Sequence, residues 1–297
     1  MAARPERIVQ FECFGATVTL RASGNGEIVR LGLRRAQEIA EEVQRRLTRF
    51  DASSDLCRLN ADPRGVVPAD PLVRTFAEAV RWAGETSGGL VDATCLPAVE
   101  AAGYREHWVP GAPGAPAEHP RPWAPGWASV SVQGDAIRRP AGTRLDSGGL
   151  GKGLAADLMA PALGACATWI VDCGGDLRIG GLEAVARAVD VAAPSGGPPI
   201  HRLTVTRGAV ATSGTTRRAW AGGHHLIDPR TGAPADGPIV QVTAVARTGL
   251  QAEVRAKTAL LAGPADAQEI LRDGGVFVTG DGNAQVVTAQ RVAAIRS

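Results

Sequence analysis

The chain has 297 residues, 44% hydrophobic and only 4% aromatic, with 32 basic and 30 acidic side chains and a formal net charge of +2. That length and apolar content suffice to bury a substantial core in one large domain or two intimate subdomains. The near-neutral balance gives no electrostatic case for nucleic acid or an anionic membrane, and so few aromatics argue against a base-stacking platform across the fold. Cys13, Cys57, Cys95, Cys166 and Cys173 are scattered, odd in number and without a C-x-x-C pair. They read as small buried hydrophobes in a reducing compartment. The opening MAARPERIVQFECFG has no apolar signal-peptide core, and no run approaches the roughly 18 apolar residues of a membrane span, so the expected location is the cytoplasm.

In chain order, residues 7–20 alternate around Ile8, Val9, Phe11 and Val18 and predict a strand or hairpin. Ala36, Ile39, Ala40, Val43, Leu47 and Phe50 recur at helical spacing and predict an amphipathic helix over 34–50. A second helix is expected over 70–86, with Leu72, Val73, Phe76, Val80 and Ala83 on one face. The segment 107–127 is rich in Pro and Gly and reads as a long surface loop. A strand over 128–133, a helix from Gly151 to about Leu163 and a buried strand through Ile170 and Val171 to Gly174-Gly175 come next. Strands near 186–193, 201–206, 208–213 and 239–247 and a helix over about 250–262 complete the series. Hairpins mixed with helices favour an α+β fold over a doubly wound parallel sheet.

The richest stretch is 208–234, GAVATSGTTRRAWAGGHHLIDPRTGAP. Its first part reads as a short strand entering a small-residue loop, where backbone N–H groups and the Thr212 and Ser213 hydroxyls can approach an anion. His224-His225-Leu226-Ile227-Asp228 then runs into a Pro-Gly turn. A neutral imidazole beside an anion-binding loop is suited to act as a general base; an ordinary hairpin carrying a surface histidine pair is the alternative.

This stretch resembles the signature of the ApbE family of FAD:protein FMN transferases, and four other segments agree with that family in order. They are 46–60 (RLTRFDASSDLCRLN), Leu90–Pro97 followed by Gly103-Tyr104, Leu145–Gly153 with Asp157, and Val171–Leu177 ending in Gly-Gly-Asp. The resemblance runs from about residue 8 to about residue 265 and implies the T-fold-like α+β architecture of these flavin enzymes, with 1–297 as one domain. It also implies transfer of FMN from FAD to a Thr or Ser hydroxyl of an unidentified flavin-accepting protein, with AMP leaving. An FAD-binding paralogue acting as flavin carrier or regulator, and an FAD pyrophosphatase, are the alternatives.

By the same resemblance His225 is the base, three residues before Asp228, which either orients the imidazole or starts the turn. Phe14, Phe50, Tyr104, Asp146, Lys152, Thr212, Ser213 and Ile227 fall at positions that hold the cofactor. Lys152 opens a helix after a Gly-rich loop, where cation, amides and helix dipole suit a pyrophosphate. Phe14 departs from the family, since Phe-Gly-Ala stands where Met-Gly-Thr is usual.

The family holds Mg²⁺ with a loop carbonyl, here Gly149, and with Asp and Thr four residues apart on a late helix. Those two positions carry Glu253 and Lys257 here. Glutamate is an adequate oxygen donor, whereas an ammonium repels a dication. The resemblance therefore implies Mg²⁺ binding that is weakened or lost. Lys257 either bonds phosphate directly or forms an i,i+4 surface pair with Glu253.

Overall fold

The computed structural model describes residues 5–107, 124–220 and 223–289. In chain order, β1 (Arg7–Cys13) and β2 (Ala16–Ser23) precede α1 (Gly26–Leu47), α2 (Asp55–Ala61), β3 (Val66–Pro68), α3 (Pro71–Thr86), α4 (Leu96–Ala101), β4 (Ser131–Gln133) and β5 (Ala136–Arg138). The second half runs α5 (Gly151–Met159), β6 (Thr168–Cys173), β7 (Leu177–Gly180), β8 (Arg187–Val191), β9 (His201–Val205) and β10 (Gly208–Gly214). The short strands β11 (Ala219–Trp220), β12 (Gly223–His224), β13 (Ile227–Asp228) and β14 (Ala233–Pro234) come next. Then follow β15 (Ile239–Ala246), α6 (Gly249–Ala262), α7 (Pro264–Ile270), β16 (Gly275–Thr279) and β17 (Ala284–Val287).

Eight strands form one antiparallel sheet in the order β1-β2-β6-β7-β10-β15-β16-β17. Period-2 alternation sends successive side chains to opposite faces. On β6, Trp169, Val171 and Cys173 join the core beneath α1 and α5, while Ile170 packs with Ile179, Val210, Val189 and Leu203 under the β8–β9 hairpin. Helices α1, α5 and α6 cover one face of the sheet and this hairpin part of the other. The α+β expectation is met.

Boundaries differ where caps outweigh periodicity. Helix α1 begins eight residues before the expected start, because the Asn25 side chain accepts from the amides of Glu27 (3.0 Å) and Ile28 (3.3 Å). Its first turns were missed since Ile28 and Leu31 point outward, while Val29, Leu33, Ala36, Ala40, Val43 and Leu47 carry the buried stripe. The helix stops at Leu47, so Phe50 lies beyond it and is 40% exposed, not a member of its apolar face. The strand expected over 128–133 is a single 3-10 turn (Trp127–Ser129) followed by β4. Most of the Pro/Gly-rich segment at 107–127 lies outside the described residues. Among the described residues no helix is long and apolar enough to cross a membrane, and all five cysteines are free thiols.

One end of the large sheet gathers several connections. These are the β1–β2 turn at Phe14-Gly15, the β6–β7 turn at Gly174–Asp176, the end of β10 and the first turn of α5.

Candidate active site

Helix α5 starts directly after the loop Asp146–Leu150, and no side chain caps it, so its first amides find other partners, Gly151 N donating to Ser147 O at 2.7 Å. One of them, Gly153 N, donates to Glu253 Oε2 of α6 at 2.8 Å. The two helices come that close because Gly153 and Gly249 lack side chains. Asp157, one helical turn further along α5, accepts from Gly249 N (2.7 Å) and Leu250 N (2.9 Å) and so caps α6. It also pairs with Arg178 at 3.0 Å.

This helix pair presents two lysines. Lys152 Nζ lies 2.5 Å from Asp176 Oδ2. Burial by itself pulls the Lys152 ammonium down, but Asp176 and Glu253 together raise it above its ordinary value. Lys257 Nζ lies 3.0 Å from Glu253 Oε1, and the two side chains are only 13% and 2% exposed. This is no surface pair, and burial pushes the Glu253 carboxyl up while Lys257 opposes the shift.

His225 stands among these cations, and its Nδ1 is buried without a hydrogen-bond partner. Burial, then the charges of Arg218 and Lys257, push the imidazole down to about 3, so it is neutral at physiological pH. His224 is fully engaged: Nε2 meets Ala235 O at 3.0 Å and Nδ1 accepts from Leu226 N at 3.2 Å. The two neighbours thus differ in kind, one structural and one free to act.

Asp228 takes the turn-starting role. Its carboxylate accepts from Arg230 N (2.9 Å), Nε (3.0 Å) and Nη2 (2.7 Å), while Arg230 also donates to Leu261 O at 2.7 Å. Burial raises the Asp228 carboxyl, but these bonds prevail and hold it below its ordinary range. Its side-chain partner is Arg230.

Two cavities meet at this point. One of about 830 Å³ is lined by Asp176, Thr212, Ser213, His225, Glu253 and Lys257 among others. The second, about 540 Å³, is lined by Phe14, Arg49, Phe50, Tyr104 and Asp146. Gly15, Gly148, Lys152 and Arg218 belong to both walls. A smaller hollow of about 80 Å³ adjoins them, with Asp146, Gly149, His225, Ile227 and Lys257 in its wall.

In the second cavity the Arg49 guanidinium lies 4.2 Å from the Phe50 ring centre and 4.6 Å from that of Tyr104, with Trp220 a further 6.0 Å from Tyr104. The low aromatic content excludes a broad stacking surface, yet this local one exists. Arg49 Nε also reaches Asp146 Oδ1 at 3.4 Å. Phe14 takes a φ of +58°, unusual for a bulky residue, and with Gly15 at +65° closes the β1–β2 hairpin in the mirror-image turn such hairpins prefer. Gln44 Oε1 accepts from Phe14 N and holds that conformation.

Thr212 and Ser213 sit at the end of β10. The Thr212 hydroxyl bonds that of Thr243 at 2.8 Å, and its amide donates to Asp176 at 3.3 Å, while Ser213 is buried. All the expected cofactor positions therefore line one of these three spaces.

The expected Mg²⁺ ligands do not fit a divalent cation. Both Glu253 oxygens are engaged, one by the Lys257 ammonium and one by Gly153 N. A methyl carbon placed on Gly149, the other expected ligand, would lie 3.7 Å from Lys257 Cε, so the lysine stem runs beside both. Among the described residues no group of three or more His, Cys, Asp or Glu side chains is placed to hold a metal.

Three residues in the site were not singled out from sequence: Arg49, Asp176 and Arg218. Asp176 ends the Gly-Gly-Asp segment and is 3% exposed, a buried acid whose need for a cation was the available signal. Arg49 and Arg218 lie inside the quoted motifs but carry no periodicity to mark them. Arg218, at φ +49°, extends its guanidinium toward Phe14 O at 3.4 Å.

An antiparallel sheet with α5 and α6 on one face, bearing a cleft lined by lysines, arginines and a neutral buried histidine, defines an α+β enzyme. The ApbE family model matches residues 14–278. The chain belongs to the ApbE family, a family of transferases. It is 26% identical over 231 residues to the FAD:protein FMN transferase of Vibrio cholerae serotype O1, covering 72% of this chain and 68% of that one. The ApbE protein of Thermotoga maritima has the same fold, with a TM-score of 0.84 at 21% identity over 95% of this chain and 97% of the other. The flavin transferase ApbE from Vibrio cholerae superposes with a TM-score of 0.78 at 17% identity, covering 97% and 98%.

Proposed function

We propose that the protein moves the FMN portion of FAD onto a Thr or Ser hydroxyl of an acceptor protein and releases AMP. The observation that carries this reading is a neutral, buried histidine with an unpartnered ring nitrogen, set beside two lysines where two cavities join. A dinucleotide has that form: two ring systems with a charged pyrophosphate between them. The Arg49–Phe50–Tyr104 cluster suits a flat ring in the second cavity, and Lys152 at the start of α5, with Lys257 and Arg218, suits the phosphates.

In the transfer, the acceptor hydroxyl oxygen bonds to the FMN-side phosphorus while the bond from that phosphorus to the bridging oxygen breaks. AMP departs with the bridging oxygen, and the hydroxyl proton passes to the His225 imidazole. Lys152, Lys257 and Arg218 offset the charge that develops on the phosphoryl oxygens. Thr212 and Asp146 position the nucleotide, and Asp228 keeps the turn carrying His225 in register.

The test is incubation of the purified protein with FAD and a candidate acceptor. AMP appearing in step with flavin-labelled acceptor is expected. AMP and FMN without labelled acceptor would instead mark a pyrophosphatase, and bound FAD without products a flavin carrier or regulator. FAD is expected to bind more tightly than riboflavin, because the charged junction serves only the phosphates. Equal affinities in a fluorescence titration would overturn the assignment.

A further inference from the structure

The position beside Glu253 combines two features that belong together. Lys257 is nearly buried, paired with a carboxylate that is itself buried, and it lies along Gly149 in the cavity wall. Across the same space His225 Nδ1 is buried with no hydrogen-bond partner, so the site is a polar cavity whose donors and acceptors are incomplete. The wall of the larger cavity carries six Lys or Arg side chains, Lys152, Lys257 and Arg218 among them, against four carboxylates, Asp172, Asp176, Asp190 and Glu253. The local charge is therefore positive before any ligand arrives. Each lysine has one carboxylate contact, and an ammonium has three donors, so both keep hydrogens for an incoming anion.

We infer that Lys257 is a built-in counter-cation for the phosphate groups of the substrate, so that the protein binds its dinucleotide without a divalent metal. This rests on the flavin-dinucleotide reading above. Glu253 holds the Lys257 stem against Gly149 and leaves the remaining ammonium hydrogens directed at the cavity. The Lys257 ammonium is already largely stripped of water by burial, and it pairs with phosphate as a point charge. A dication entering beside it would meet the ammonium at close range and find both Glu253 oxygens engaged.

The experiment is titration of FAD into the protein by flavin fluorescence, in EDTA and again with added MgCl₂. The variants are Lys257→Arg, Lys257→Met and the double change Lys257→Thr with Glu253→Asp, each with a thermal melt. Wild type is expected to bind FAD equally in EDTA and in Mg²⁺, and Lys257→Arg to stay close to it. Lys257→Met should lose about tenfold or more in affinity under both conditions, the lower end for a hydrogen bond to a charged group. The double variant should bind weakly in EDTA and recover with Mg²⁺.

Wild-type binding that requires Mg²⁺ would overturn the inference while leaving the flavin reading intact. So would a Lys257→Met protein with a lowered melting temperature but unchanged FAD affinity, which would make the lysine structural only. Absence of FAD binding by wild type under both conditions would overturn the flavin reading itself.

Discussion

Gly153 of α5 and Gly249 at the start of α6 meet backbone to backbone. A methyl carbon on Gly153 would come within 2.5 Å of the Gly249 carbonyl oxygen, and one on Gly249 within 2.6 Å of the Gly153 oxygen. The same methyl on Gly153 would lie 2.9 Å from Glu253 Oε2. This contact sets the distance between the helix that carries Lys152 and the helix that carries Glu253 and Lys257. Gly153→Ala should destabilise the protein by about 1–3 kcal/mol, the usual range for overpacking a tight site, and weaken FAD binding as well. A thermal melt and a flavin titration check both, and an unchanged pair of values would show slack between the helices.

The two adjacent histidines should separate in kinetics. His225→Ala is expected to leave FAD affinity within a few fold and cut FMN transfer by roughly 10²–10⁴, the range for loss of a general base. His224→Ala should be milder in rate and show mainly as a lower melting temperature, because His224 ties Leu226 N to Ala235 O. Initial rates of AMP release compare the two variants. If their severity is reversed, the base is the other histidine.

The buried imidazole also carries a signature in stability. His225 titrates at about 3 in the folded protein, against an ordinary value of 6.5. Between those values the unfolded chain binds a proton that the folded one does not, so stability falls as pH drops from 6.5 toward 3. The slope from this group is at most about 1.4 kcal/mol per pH unit. Asp172 and Glu253, both raised by burial, act in the opposite sense, and His224, lowered by burial, acts in the same sense. The comparison of wild type with His225→Gln isolates the term: between pH 6.5 and 5 the wild type should lose more stability than the variant. Denaturant midpoints at several pH values measure this, and parallel profiles would place the imidazole in water instead.

Asp228→Asn tests the role of the turn. The variant keeps the acceptor oxygen for Arg230 N but loses the ion pair, whose arginine is 58% exposed, so the stability cost should be no more than about 1 kcal/mol. FMN transfer is expected to fall far less than in His225→Ala. A rate loss matching that of His225→Ala would instead show Asp228 acting on the imidazole during turnover.

Much of the architecture was legible in sequence. Alternation predicted the β1–β2 hairpin and periodicity predicted α3, and the buried strand through Ile170 and Val171 and the helix α6 were also expected close to their observed places. The ordered motifs identified the family and picked out His225, Lys152, Asp146 and Tyr104, all of which line the joined cavities. These features are local, because a hydrophobic period or a Gly-rich turn is written in consecutive residues. Tertiary structure alone decided the rest. The start of α1 depended on a cap rather than a stripe, and the exposure of Phe50 depended on where that helix ends. Arg49 and Asp146 are separated by nearly a hundred positions, and Phe14 and Arg218 by more than two hundred, yet each pair meets in the cleft. The same holds for the Lys257–Glu253 pair, which in sequence is indistinguishable from an exposed helical ion pair. What makes it part of the site is burial against Gly149 and Gly153, and burial depends on which helices pack together: it strengthens the attraction between Lys257 and Glu253 by removing the water that would otherwise screen it.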